Sequence, residues 1–118
     1  MLIKVLKSKI HKARVTDARL EYQGSIAIDQ SLMEASGILP YEAVWVADLN
    51  NGNRIQTYVV PAPGGSGEVV ILGPAAKLIN RSDVVVIMAF AYCSPQEAAQ
   101  IRPRIVFVDQ ANRPLDAG

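Results

Sequence analysis

The sequence is poor in the residues that most often build metal and cofactor sites. Its single cysteine, Cys93, can close no internal disulfide and no cysteine-based metal centre. Its single histidine, His11, leaves no His-x-x-x-His spacing, so no metal is expected. No run of Lys or Arg stands out and the net charge is +1, which argues against nucleic acid or an anionic membrane as a partner. No stretch is long and apolar enough to span a bilayer. The opening MLIKVLKSKIHKARV carries charges throughout, unlike the apolar core of a secretory leader. These absences leave a cytoplasmic globular domain as the expectation. What is present supports it: half of the 118 residues are hydrophobic and 19% are charged, enough for one real core.

The chain divides into short elements. IKVLK and KARVT, within the basic first twenty residues, suggest one or two strands. LEYQGSIAID (20–29) alternates apolar and other residues with a period of two, predicting a half-buried strand with Gly24-Ser25 in its middle. DQSLMEASG follows with helix signals: Asp29 or Ser31 as N-cap, Glu34 completing a capping box with Ser31, Gly37 as the stop. EAVWVADL and RIQTYVV flank NNGN, where Asn51-Gly52 predicts a type I′ hairpin turn. PAPGGSG (61–67) reads as a flexible loop; no Gly-Lys-Ser/Thr follows to make it a phosphate loop. EVVIL and DVVVIMAFAY are further strands, with the Ala-rich PAAKLI between them. SPQEAAQI opens a second short helix with Ser94 as N-cap, Pro95 at N1 and Glu97 at N3. RIVFVD is the last strand and QANRPLDAG a tail. Many short strands, few helices and no βαβ rhythm indicate one mainly-β barrel. Trp45 is expected at or near its core, and Cys93 as a small buried hydrophobe.

Glycine weakens a strand interior and often marks a close approach of backbone, so Gly24-Ser25 calls for a reason. A serine hydroxyl can attack the carbonyl carbon of its own preceding peptide bond, given strained backbone and a donor for the oxyanion. A glycine before it removes the Cβ that would obstruct this geometry. The ester so formed can undergo β-elimination, which breaks the chain and leaves dehydroalanine; hydrolysis then yields a pyruvoyl group. Gly-Ser alone is far too common to decide for this chemistry.

Its company is more specific. KIHKARVT (9–16), YQGSIAID (22–29), GILPYEA (37–43), NGNRIQTY (51–58) and GSGEVVILGPAA (65–76) occur in one order and spacing that resembles the aspartate 1-decarboxylases. The likeness runs over roughly the first 92 residues, and QEAAQIRP echoes the family's closing helix. It implies a double-psi β-barrel with short helices, a homotetramer with active sites between subunits, and self-cleavage at Gly24-Ser25. Residues 1–24 and 25–118 would then be separate, non-covalently held chains. It further implies decarboxylation of L-aspartate to β-alanine for pantothenate synthesis, with a pyruvoyl group made from Ser25 and neither metal nor pyridoxal phosphate. A maturation factor is a possible partner.

The resemblance also assigns roles. Aspartate brings two carboxylates, and Arg54 offers a planar fork for one and Lys9 a point charge for the other. His11 is placed near a substrate carboxylate. Thr57 is assigned to the processing oxyanion and to substrate contact. Tyr58 is the acid that reprotonates the substrate, and Tyr22 lines the pocket. Thr57 and Tyr58 are adjacent, so on a strand they face opposite ways unless it is twisted or bulged. Gly73, Pro74 and Ala75 frame the pocket, with one departure: where the family usually has Asn-Gly-Ala-Ala, this chain has Leu72-Gly73-Pro74-Ala75. Leucine cannot replace the asparagine's hydrogen bond, and Pro74 deletes a backbone N–H. The alternative to the enzyme is a barrel, uncleaved or divergent, that binds or decarboxylates another small amino acid.

Overall fold

A computed structural model describes residues 1–115. Its first strand, β1 (Ile3–Arg14), is continuous. Register shifts between Leu6 and Ser8 and between Ile10 and Ala13 let it stay long while keeping Ser8, Ile10 and Ala13 buried. Lys12 takes φ 63° at the second shift, the backbone signature of a bulge. Then come β2 (Asp17–Arg19), β3 (Ser25–Asp29), β4 (Ala43–Asp48), β5 (Arg54–Ala62), β6 (Val69–Leu72), β7 (Val84–Cys93) and β8 (Arg104–Phe107).

The strands lie in the order β2-β6-β3-β5-β4-β7-β1-β8. β1 with β8, β2 with β6 and β3 with β5 are parallel, and the remaining pairs are antiparallel. β1 and β2 belong to opposite ends of this order yet are joined by only Val15 and Thr16. At that corner Val15 N donates to Asp83 O (2.9 Å) and Thr16 N to Val69 O (2.8 Å), drawing the two halves of the sheet around a common interior. The mainly-β barrel expected from the sequence is the one that forms. Ile10, Ile26, Ile28, Val46, Val59, Ile71 and Ile87 fill it, each fully buried. β-Branched side chains suit a pleated surface, which is why the sequence is rich in them.

Two helices close the ends. α1 (Gln30–Ser36) is capped by Asp29, not Ser31: the Asp29 carboxylate accepts from Ser31 N (2.8 Å), Gly65 N (2.9 Å) and Gly67 N (2.8 Å). The capping box predicted for Ser31 therefore gives way to a residue that also pins the 63–67 loop. Gly37 ends the helix at φ 75°. α2 (Pro95–Ala98) has the predicted capping box between Ser94 and Glu97. No helix among the described residues is long and apolar enough to cross a membrane.

Four local expectations need correction. Residues 20–24 are a turn rather than strand, with Leu20 and Tyr22 about half exposed; β3 begins at Ser25. The β4–β5 hairpin exists, but Asp48 N donates to Asn53 O and Gly52 N to Asp48 O, closing a longer loop than a type I′ turn. Gly52 has positive φ and Asn51 does not. The stretch 108–115 is no loose tail: Val108 bridges Pro114 and Asn112 is buried; residues 116–118 lie outside the described residues. Trp45 is only half-buried, on the outer face of the sheet.

The β4–β5 loop is anchored by a buried pair of carboxyl groups, Asp48 and Asp83. Asp48 Oδ1 accepts from Asn50 N, whereas its buried Oδ2 has no hydrogen-bond partner among the described residues. Burial, and then the hydrogen bond with Asp83, raise the Asp48 pKa above its ordinary value. A raised carboxyl pKa contributes stability that is complete below the unfolded-state value and is lost as pH rises through the folded one. The stability of the wild type relative to Asp48→Asn, measured by urea denaturation, should therefore fall from pH 4 towards pH 8. The variant's gain at pH 8 should be on the order of 1–3 kcal/mol, the cost of an unsatisfied buried polar group. A difference between the two proteins that does not change with pH would contradict the raised Asp48 pKa.

Candidate active site

The site begins where strand pairing stops. β3 pairs with β5 from Ile26↔Val59 onward, so the stretch of β5 just before Tyr58 has no β3 neighbour on that edge. A cavity of about 320 Å³ opens there, lined by Gly24, Ile55, Gln56, Thr57, Leu72, Pro74, Ala75 and Leu78. Its far wall is the end of β6 and the short 3-10 turn Pro74–Lys77. Asn51 Nδ2 and Asn53 Nδ2 each donate to Leu78 O at 2.9 Å, holding this turn to the hairpin loop. In the sequence NNGN signalled only a turn; its asparagine side chains also brace the wall of the cavity.

Backbone approach is closest at Gly73. A Cβ there would lie 2.7 Å from Gly24 Cα, 2.8 Å from Gly24 N and 2.9 Å from Tyr22 O. Its φ of 86° and ψ of −154° belong to a region that is essentially glycine's alone. Gly73 N donates to Arg19 O at 2.8 Å, fixing the approach. Gly24 itself is unstrained by comparison: an added Cβ would meet only Pro74 Cδ, at 3.9 Å. Ser25 is buried and pairs directly with Leu72. The Gly24-Ser25 bond thus enters the barrel from an exposed turn, pressed against Gly73 on one side and open to the cavity on another.

Gly24, Thr57, Pro74 and Ala75 line this cavity, with Ser25 and Gly73 beside it. Lys9, His11, Arg54, Tyr22 and Tyr58 do not line it. Thr57 and Tyr58 face opposite ways: Thr57 pairs with the buried Val44, and Tyr58, 38% exposed, pairs with Ala43 and rests against Tyr41 at 6.4 Å between ring centroids. Tyr22 is exposed, with the Arg19 guanidinium over its ring.

The other residues share one surface. Directly paired residues face the same way, and Lys9↔Met88, Met88↔Trp45 and Trp45↔Gln56 form one row across the outer face of β1, β7, β4 and β5. Arg54 and Tyr58 flank Gln56 on that face, and Arg54 lines a shallow cavity of about 220 Å³ with Trp45 and Phe90. His11 packs edge-on against Phe107 at 5.6 Å, with its Nδ1 buried and unpartnered among the described residues. Burial, then the charges of Lys9 and Lys12, lower its pKa, which favours the neutral imidazole at pH 7.

Comparison with known proteins settles the kinship. The sequence model of the family described as aspartate decarboxylase matches residues 1–115. The chain belongs to the aspartate decarboxylase family. It is 52% identical to the aspartate 1-decarboxylase of Lactiplantibacillus plantarum, over 96% of this chain and 87% of that protein. It is 49% identical to that of Carboxydothermus hydrogenoformans, over 96% and 89%. With that of Thermoanaerobacter pseudethanolicus it shares 46%, over 95% and 96%. Within an aspartate decarboxylase barrel, the Gly73 contact is a constraint on how the Gly24-Ser25 bond is held.

Gly73→Ala should accordingly destabilise the protein by about 2–4 kcal/mol, combining a glycine-only conformation with overpacking against backbone. Gly24→Ala should change stability by no more than about 1 kcal/mol, the scale of a substitution without a clash. Urea denaturation of both variants decides the matter; equal losses would show that the close approach is not what fixes position 73.

Proposed function

We propose that the chain cleaves itself between Gly24 and Ser25 and then decarboxylates L-aspartate to β-alanine and CO2 for pantothenate synthesis. The observation that carries this reading is the setting of that bond: it lies at a cavity walled by Thr57 and the 74–75 turn, with Gly73 packed on its backbone. The names of the relatives support the substrate.

In cleavage, Ser25 Oγ adds to the Gly24 carbonyl carbon and the Ser25 nitrogen leaves it, giving an ester and a free amine. Loss of the Ser25 Cα proton then expels Gly24 as a carboxylate. Hydrolysis of the resulting dehydroalanine releases ammonia and leaves a pyruvoyl group at the head of residues 25–118. The oxyanion of the first step needs a donor in the cavity. Leu72 offers none and Gln56 faces the outer side of the sheet, so Thr57 is the lining side chain that can donate. A pyruvoyl group supplies a carbonyl that takes the substrate amine and receives the electron pair left by departing CO2. Nothing in the cavity obstructs it: the lining at Leu72, Pro74 and Ala75 is apolar, which strengthens any charge interaction inside.

The cations are the residues the single chain holds apart. Arg54 and Lys9, on the outer sheet face, suit the two substrate carboxylates; His11 gains a proton as a carboxylate nears it, and Tyr58 returns a proton to the α-carbon. Supply of these side chains across a subunit boundary fits a homotetramer with shared sites, working in the cytoplasm, with a maturation factor where cleavage is slow.

Purified protein given L-aspartate should release β-alanine and CO2 in equal amounts, and Ser25→Ala should release neither. Arg54→Ala should lower kcat/KM about a hundredfold, as expected when a substrate carboxylate desolvated on binding loses its partner. Normal turnover by either variant would contradict the assignment.

A further inference from the structure

A second cavity, of about 440 Å³, lies away from Gly24, at the corner where β1 turns into β2. Arg14, Thr16, Ser66, Arg81, Ser82 and Gln110 line it. Both arginines line one space, and neither has a carboxylate within ion-pair distance among the described residues. The carboxylate that feels Arg81 is Asp17, and its ionic hydrogen bond goes to Arg19 instead. Like charges gathered without a counter-ion repel one another, and an anion between them removes that cost.

The cavity floor is rigid. Asn112, 1% exposed, accepts from Arg14 N and donates to both Arg14 O and Gly67 O, each at 2.8 Å. Gly67 lies so close to this segment that a Cβ would sit 2.6 Å from Ala111 O. Ser82 N donates to Val15 O at 2.8 Å. Of the four non-glycine residues with positive φ, Ser82 and Asn112 line this cavity; Lys12 lines a neighbouring one that shares Arg14 and Gln110. Backbone held in such conformations clusters at ligand clamps. The amides of Thr16, Ser66, Gly67, Ser82, Ala111 and Asn112 are already engaged within the fold. Recognition therefore falls to side chains: two guanidiniums and the hydroxyls of Ser66 and Ser82. That donor set suits a tetrahedral, doubly charged group with several acceptor oxygens better than a planar carboxylate.

We infer that this corner is a binding site for a small phosphorylated molecule, with its phosphate between Arg14 and Arg81. The site is independent of the Gly24 cavity. Inorganic phosphate is the probe, titrated into the full-length wild-type protein by calorimetry, with acetate at matched ionic strength as the planar comparison. Phosphate should bind with a Kd on the order of 1 mM, as expected of so small a ligand, and acetate more weakly. Arg14→Gln and Arg81→Gln should each weaken phosphate about tenfold. Both side chains are exposed, so the variants should keep the wild-type unfolding midpoint and decarboxylation rate. Arg54→Gln should leave phosphate binding unchanged. The inference is overturned if phosphate does not bind, if acetate binds equally well, if binding survives both substitutions, or if Arg54→Gln abolishes it.

Discussion

Gly73 and Gly24 meet backbone to backbone, with no room for a methyl group between them on the Gly73 side, and much of the surrounding geometry follows from this contact. It brings the 20–24 turn against the end of β6 and sets Ser25 beside Leu72 as the first residue of β3. It also requires β6 to leave the sheet at Gly73, in a conformation other residues avoid, and so to start the 3-10 turn that walls the cavity. Gly24 carries no comparable requirement in the folded state. In the proposed cleavage its missing Cβ would matter, because the neighbouring hydroxyl would have to reach the Gly24 carbonyl.

Sheet topology then decides which residues share the site. The β3–β5 parallel pair starts late, leaving open space beside Thr57, and the β4–β5 antiparallel pair sends Tyr58 and Arg54 to the other face. A single barrel therefore separates the Gly24-Ser25 bond from Arg54 and Lys9, the cations proposed for the substrate carboxylates. The outer face that holds Lys9, Met88, Trp45 and Gln56 in one row is apolar at Met88 and Trp45 and cationic at Lys9 and the neighbouring Arg54. Such a surface is the kind a second copy can cover, burying Trp45 and Met88 while aiming Arg54 and Lys9 inward.

Much of this was legible in the sequence, and the exceptions have physical causes. Strands rich in Val and Ile, the Ser94 capping box and the Gly37 stop were all local signals, and the fold kept them. The period of two in LEYQGSIAID gave a strand that is real only from Ser25; the residues before it form a turn whose backbone packs against Gly73. Asp29 won the N-cap over Ser31 because it also binds Gly65 and Gly67, residues distant in sequence. Asn112, in a stretch read as a tail, is buried through bonds to Arg14 and Gly67 that no local pattern announces. Among candidate site residues, Gly24, Thr57, Pro74 and Ala75, to which the family resemblance pointed, line one cavity. The resemblance could not show that Lys9, Arg54 and Tyr58 lie elsewhere on the surface, since that depends on strand order.

The central claim is that Ser25 becomes the reactive group by breaking its own peptide bond. Intact-mass analysis of the purified, active protein tests this most directly. The account predicts two chains, residues 1–24 and 25–118, the second blocked at its N-terminus. Their summed mass should exceed that of the unbroken chain by about 1 Da, because cleavage adds water and releases ammonia; simple hydrolysis would add about 18 Da. A single unbroken chain that nevertheless decarboxylates aspartate would contradict it.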